Sequence, residues 1–161
     1  MCYFGTLFSQ TEEVVDTVVH HLQNPRLGQV DCVVGIGLSG TMPLVPVRQK
    51  SGINIRAIRK QGVESHSGVS AASEYADSGR YVILDDFVES GSTLTALRAK
   101  MAEVFPRWEC AGVILYSQYS TCDTFLDVPI LGVAEEVQDL HKLRHPPEPK
   151  VRKPMCMMSG D

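Results

Sequence analysis

Asp85 and Asp86 stand side by side at the end of an apolar run, Tyr81-Val82-Ile83-Leu84, and a small hydroxyl-rich turn follows, Glu89-Ser90-Gly91-Ser92-Thr93. Paired carboxylates suit ribose hydroxyls or a hydrated Mg²⁺, both of which call for hard oxygen acceptors. The turn suits a phosphate monoester. Gly91 lets the backbone come close to a ligand, and Ser90, Ser92 and Thr93 offer hydroxyl donors. Alone, Ser-Gly-Ser is an ordinary helix start. The strand, the acids and the turn in one stretch point to a site for a phosphorylated sugar.

Regular elements must hold these groups. A continuous apolar run such as Tyr81–Leu84 fits a strand buried on both faces, as in a parallel sheet. After the turn, Leu94, Leu97, Met101, Val104 and Phe105 recur at helical spacing. A helix opening there aims unpaired N–H groups and the positive end of its dipole at a bound anion.

A second strand–loop–helix unit lies upstream. Val30–Ile36 reads as a strand, and it runs into a loop carrying Gly35, Gly37 and Gly40; Thr41-Met42-Pro43 then opens a helix that Gly52 closes. Ile53–Ile58 reads as another strand, ending in Arg59-Lys60. The polar segment from Gln61 to Arg80, with His66 inside it, is long for a small domain and is expected to be functional or unstructured. Ala111–Tyr116 and Val128–Val133 read as the last strands, and Glu135–Leu140 as a short helix. Near the start, Ser9-Gln10-Thr11-Glu12 is a capping box for a helix with Val14, Val15, Val18, Val19 and Leu22 on one face. His20 and His21 at its end are expected to be structural or solvated.

The 161 residues suit one domain with a real core. A net charge of −4 argues against binding nucleic acid through bulk electrostatics. No stretch has the length of a transmembrane helix, and no basic–apolar signal pattern opens the chain, so no membrane partner and a cytoplasmic location are expected. The five scattered cysteines contain no C-x-x-C pair and suit reduced thiols. From His141 the character changes: Lys142, Arg144, Lys150, Arg152 and Lys153 face Glu148 alone up to residue 153, among four prolines. The expected division is one domain over residues 1–140 and an extended or disordered Pro-rich basic tail over 141–161.

Residues 82–94 resemble the phosphoribosyl-pyrophosphate (PRPP) signature of the type I phosphoribosyltransferases: an apolar strand, two acids, two apolar residues, an often acidic position, then Ser or Thr, Gly, one residue and Thr. The resemblance extends over roughly residues 28–134. It implies a single α/β domain with a central, mostly parallel sheet flanked by helices, a small hood and a flexible loop. It implies Mg²⁺-dependent transfer of the phosphoribosyl group from PRPP to a nucleobase, with release of pyrophosphate. A dinucleotide-binding fold is disfavoured, because G-x-G-x-x-G is not completed after Gly35-x-Gly37.

The resemblance also implies roles. Asp85 and Asp86 would hold the ribose hydroxyls and, through them or through water, Mg²⁺. Glu89, Ser90, Gly91, Ser92 and Thr93 would hold the phosphate, with Glu89 as the candidate general base. Leu38, Ser39, Gly40 and Thr41, with Arg59, Lys60 and His66, would hold pyrophosphate. Many family members place a cation where this chain has Leu38 and Ser39. Phe87 would flank the base or belong to the core. Arg59-Lys60 resembles a pair found in orotate and adenine enzymes, so adenine or orotate is slightly favoured; the lysine of the oxopurine enzymes is missing near Ser117. A homodimer is expected, and a regulator that senses PRPP or a nucleotide without turnover is the alternative.

Overall fold

The computed structural model describes residues 11–58, 76–118, 124–125 and 127–146. They form a six-stranded sheet in the order β2-β1-β3-β4-β6-β5. The strands are β1 (Cys32–Ile36), β2 (Asn54–Ile58), β3 (Gly79–Asp85), β4 (Trp108–Leu115), β5 (Thr124–Phe125) and β6 (Val128–Leu131). All pairings are parallel except that of β5 with β6. The helices are α1 (Thr11–Leu22), α2 (Gly37–Thr41), α3 (Leu44–Ser51), α4 (Ser92–Val104) and α5 (Glu135–Arg144). This is the single mostly parallel α/β domain that the sequence leads one to expect. No helix among the described residues is long and apolar enough to cross a membrane.

The apolar runs are continuous because both faces of the sheet are covered. In β3, Val82 and Leu84 pack on the face carrying α1 and α3, with Val14, Val18, Leu44 and Val47. Tyr81 and Ile83 point the other way, into a second core with Leu94, Leu97 and Met101 of α4. The two-residue period of a strand divides one run of hydrophobes between two cores. Val104, counted with the apolar face of α4, is exposed instead.

Several boundaries differ from expectation. Gly37–Thr41, read as a loop, is a short helix. The segment read as polar connection up to Arg80 gives its last two residues to β3. Asp31 explains this: its Oδ2 accepts the Arg80 N–H at 2.9 Å, while Arg80 donates to Leu27 O at 2.8 Å. At the other end α5 runs to Arg144, past the boundary placed at 140. His141 is buried and its Nε2 lies 2.8 Å from Asp16 Oδ2 of α1, which carries the helix onward. It stops where Pro146 pushes His145 out of the helical region (φ −128°, ψ 70°). Residues 147–161 and the Ser9 cap lie outside the described residues. The hairpin strand β5 has no counterpart in the sequence reading.

Cys32 is buried and Cys110 half-buried, both free thiols. Burial pushes Cys32 up to about 12 and also raises Cys110. His21 is buried and its Nε2 lies 2.6 Å from Gly132 O, a structural role as expected. Burial in turn lowers the pKa of its ring.

Candidate active site

β1 sits between β2 and β3, so the chain leaves β1 towards one edge and returns to its other side. In such sheets the crevice at this reversal, beyond the carboxyl ends of the strands, is the natural ligand site. Ile36 ends β1 and Asp85 ends β3 at this crevice, and α2 turns over it.

The turn of α2 lies directly on the sheet. A Cβ on Gly40 would come within 2.6 Å of Leu84 O, so only glycine fits there. This close approach brings Ser39 to the acids: its hydroxyl donates to Asp85 Oδ1 at 3.1 Å. Tyr116, just beyond β4, donates its hydroxyl to Ser39 O at 2.8 Å. Ser39 is thus tied to two strand ends. The β3–β4 ladder continues past both strands, with Tyr116 N–H to Asp85 O at 3.2 Å and Ser117 N–H to Asp86 O at 2.9 Å.

Both acids are buried, Asp85 6% and Asp86 8% exposed. Asp85 Oδ1 also accepts the Asp86 N–H, and Asp86 Oδ1 accepts the Phe87 N–H, each at 2.9 Å. Among the described residues no basic side chain forms an ion pair with either. Burial, reinforced by the neighbouring Asp86 carboxyl, pushes Asp85 up to about 7. Among the described residues the pair is therefore a concentration of oxygen ligands without a paired cation.

Beyond the acids, Phe87 and Val88 are half-buried, and Glu89 and Ser90 are exposed. Gly91 then takes φ +77°, with Phe125 of β5 where a side chain would be: a Cβ would meet its ring at 2.8 Å. The bend opens α4 at Ser92, where Gly91 offers no side-chain cap and the Ser92 N–H reaches Ser90 Oγ only at 3.4 Å. Ser90 Oγ and Ser92 Oγ lie 2.9 Å apart, and Ser92 is exposed while Thr93 is half-buried. Two hydroxyls and an uncapped helix start converge, an arrangement that can take an oxyanion.

The structure brings together Ser39, Asp85 and Asp86, with the turn Glu89–Thr93 next in the chain. It treats the rest of the expected pyrophosphate set differently. Leu38 is 59% exposed and offers only backbone. The Thr41 hydroxyl donates to Gly37 O at 2.6 Å and is occupied within its own turn. Arg59, Lys60 and His66 lie outside the described residues. Sequence reasoning missed Tyr116 and Gln118. Gln118 Oε1 accepts the Val88 N–H at 2.7 Å and its carbonyl accepts the Val133 N–H at 3.0 Å. For Tyr116 a signal existed: a tyrosine ending a buried strand must find a partner for its hydroxyl.

No family model matches the chain, and no curated protein matches it. Solved structures do. The adenine phosphoribosyltransferase of Thermoanaerobacter pseudethanolicus ATCC 33223 is similar at 18% identity, over 76% of this chain and 77% of that one, with a TM-score of 0.55. The orotate phosphoribosyltransferase of Aeropyrum pernix is similar at 14% identity, over 84% and 77%, with a TM-score of 0.54. The Saccharomyces cerevisiae adenine phosphoribosyltransferase, complexed with an imino-altritol bisphosphate and adenine, is similar at 13% identity, over 83% and 74%, with a TM-score of 0.52. At these identities the likeness shows a shared fold.

Proposed function

We propose that this protein transfers the phosphoribosyl group of PRPP to a nucleobase, with Mg²⁺, releasing pyrophosphate. The observation that carries this reading is the buried Asp85–Asp86 pair at the sheet's reversal, linked to α2 through Ser39 and followed by the uncapped start of α4. The fold is shared with enzymes of this reaction, one of which holds a bisphosphate and adenine together.

In this reading the turn Glu89–Thr93 takes the phosphate and Asp85 and Asp86 take the ribose hydroxyls. Fixing both ends of the sugar aligns the anomeric carbon with its leaving group. Backbone N–H groups of Leu38–Thr41, with Arg59, Lys60 and His66, receive the pyrophosphate. Mg²⁺ fits the site: the donors are carboxylate oxygens, buried and without a cationic partner among the described residues. When bound, Mg²⁺ would neutralise charge on the departing pyrophosphate. Its presence would also hold Asp85 ionised. Glu89, exposed at the turn, is the candidate base towards the incoming nucleobase, and Phe87 and the Val88–Gln118 contact border the space for that base. Adenine and orotate are the first substrates to try, and a homodimer is the working assembly.

The test is pyrophosphate release from PRPP and Mg²⁺ with adenine, guanine, hypoxanthine, xanthine, uracil, orotate and nicotinate supplied one at a time. Release with one base establishes the transferase and its substrate. A second reading, a regulator that binds PRPP without turnover, draws on Leu38, an apolar exposed residue where a cation would serve the leaving group. Calorimetric PRPP binding with silence across the panel would favour it. Absence of PRPP binding would overturn both.

A further inference from the structure

The face where α1 meets α5 lies outside the candidate active site. Glu12 and Asp16 are four residues apart on α1 and share one side of it; His141 lies in the last turn of α5, and His145, the residue that ends this helix, donates its N–H to His141 O at 2.9 Å. One donor atom each from Glu12, His141 and His145 lie within 4.8 Å of one another. The His145 Nε2–Glu12 Oε2 distance is 4.0 Å, and the two imidazole centroids are 6.4 Å apart.

We infer that Glu12, His141 and His145 form a binding site for a divalent transition metal, zinc being the expected ion. Two imidazoles and one carboxylate are an ordinary zinc donor set, with water in the fourth position. Tetrahedral zinc needs its donors about 3.3 Å apart, given Zn–N and Zn–O lengths near 2.0–2.2 Å. The closure is small and falls on the movable members. The side chains of Glu12 and His145 are 64% and 71% exposed, whereas that of His141 is 11% exposed and held by Asp16. Such a carboxylate beside a ligating imidazole orients the ring. Asp16 is itself paired with Lys50 and lies 4.0 Å from Arg144. These cations weaken the site, so micromolar affinity is expected.

The metal would act as a staple. Of α5, only Val137 and His141 are buried, while Leu140 and Leu143 are exposed. Asp16 of α1 meets His141 and lies 4.0 Å from Arg144 of α5, and a ligand bound only by the folded form would stabilise this junction by mass action.

The test uses the full chain stripped of metal. Zinc is titrated in competition with a chromophoric chelator, melting is followed with and without zinc, and Co²⁺ is used as a spectroscopic probe. One equivalent of zinc and a higher Tm are expected. Co²⁺ should give tetrahedral ligand-field bands without thiolate charge transfer. His145→Ala and Glu12→Gln, both at exposed positions, should each weaken zinc at least tenfold and remove the thermal shift, leaving the metal-free Tm unchanged. His20→Ala, an exposed histidine of α1 outside the set, should bind as the parent does. The assignment is overturned if the parent binds no zinc, if either ligand variant binds as tightly as the parent, or if thiolate bands dominate the cobalt spectrum.

Discussion

The hydroxyl of Ser39 donates to Asp85 Oδ1 at 3.1 Å across a separation of 46 residues. It joins the turn after β1 to the acids after β3, the two arms of the sheet's reversal. Ser39→Ala removes the donor while Asp85 stays buried. It should weaken PRPP binding about tenfold, in line with roughly 1.5 kcal/mol for a hydrogen bond to a charged group. Calorimetry with Mg²⁺ and PRPP measures this; unchanged affinity would separate α2 from the ligand site.

Asp85 should make stability fall as pH rises. Burial raises its folded pKa to about 7 from an ordinary 3.8, so between these values the folded chain holds more protons than the unfolded one. The stabilisation is full below about pH 4 and is lost as pH rises through about 7. Asp85→Asn should therefore flatten the Tm profile between pH 5 and 8, with the variant more stable than the parent at pH 8. A steeper or unchanged profile would contradict a buried Asp85 carboxyl raised by its Asp86 neighbour.

Asp86→Asn keeps shape and burial but loses the charge beside the ribose position. PRPP affinity with Mg²⁺ and the rate of pyrophosphate release should each drop at least tenfold, with Tm changed little. Retained activity would remove the ribose assignment.

Gly91→Ala should fail twice over. The backbone is at φ +77°, and a Cβ would meet the Phe125 ring at 2.8 Å. We expect a loss of about 1–3 kcal/mol in urea unfolding and a larger relative loss of PRPP affinity. Phe125→Ala in the same background should restore part of the stability by relieving the clash, but not the strain at φ.

Gln118 clamps Val88 and Val133. Gln118→Ala should raise KM for the nucleobase several-fold and leave KM for PRPP nearly unchanged. Equal changes in both would place Gln118 with the phosphates, not the base.

Local chemistry determined much of this. Asp85, Asp86 and the turn to Thr93 were legible because strand, acids, glycine and helix follow each other within one stretch, and local order is written in local sequence. The parallel sheet was legible because Tyr81–Leu84 is apolar at every position, which only a strand covered on both faces tolerates. The tertiary structure alone decided what depends on distant partners. Ser39 becomes a partner of Asp85, and Tyr116 of Ser39, only when strands 46 and 77 residues away in sequence are laid side by side. The same packing makes Gly37–Thr41 a helix over the sheet and β5 a hairpin strand against Gly91. It also extends α5 to Arg144, because a buried histidine finds Asp16 on a helix 125 residues earlier. Periodicity and motif describe neighbours along the chain; hydrogen bonds between remote residues form only once burial has chosen which surfaces meet.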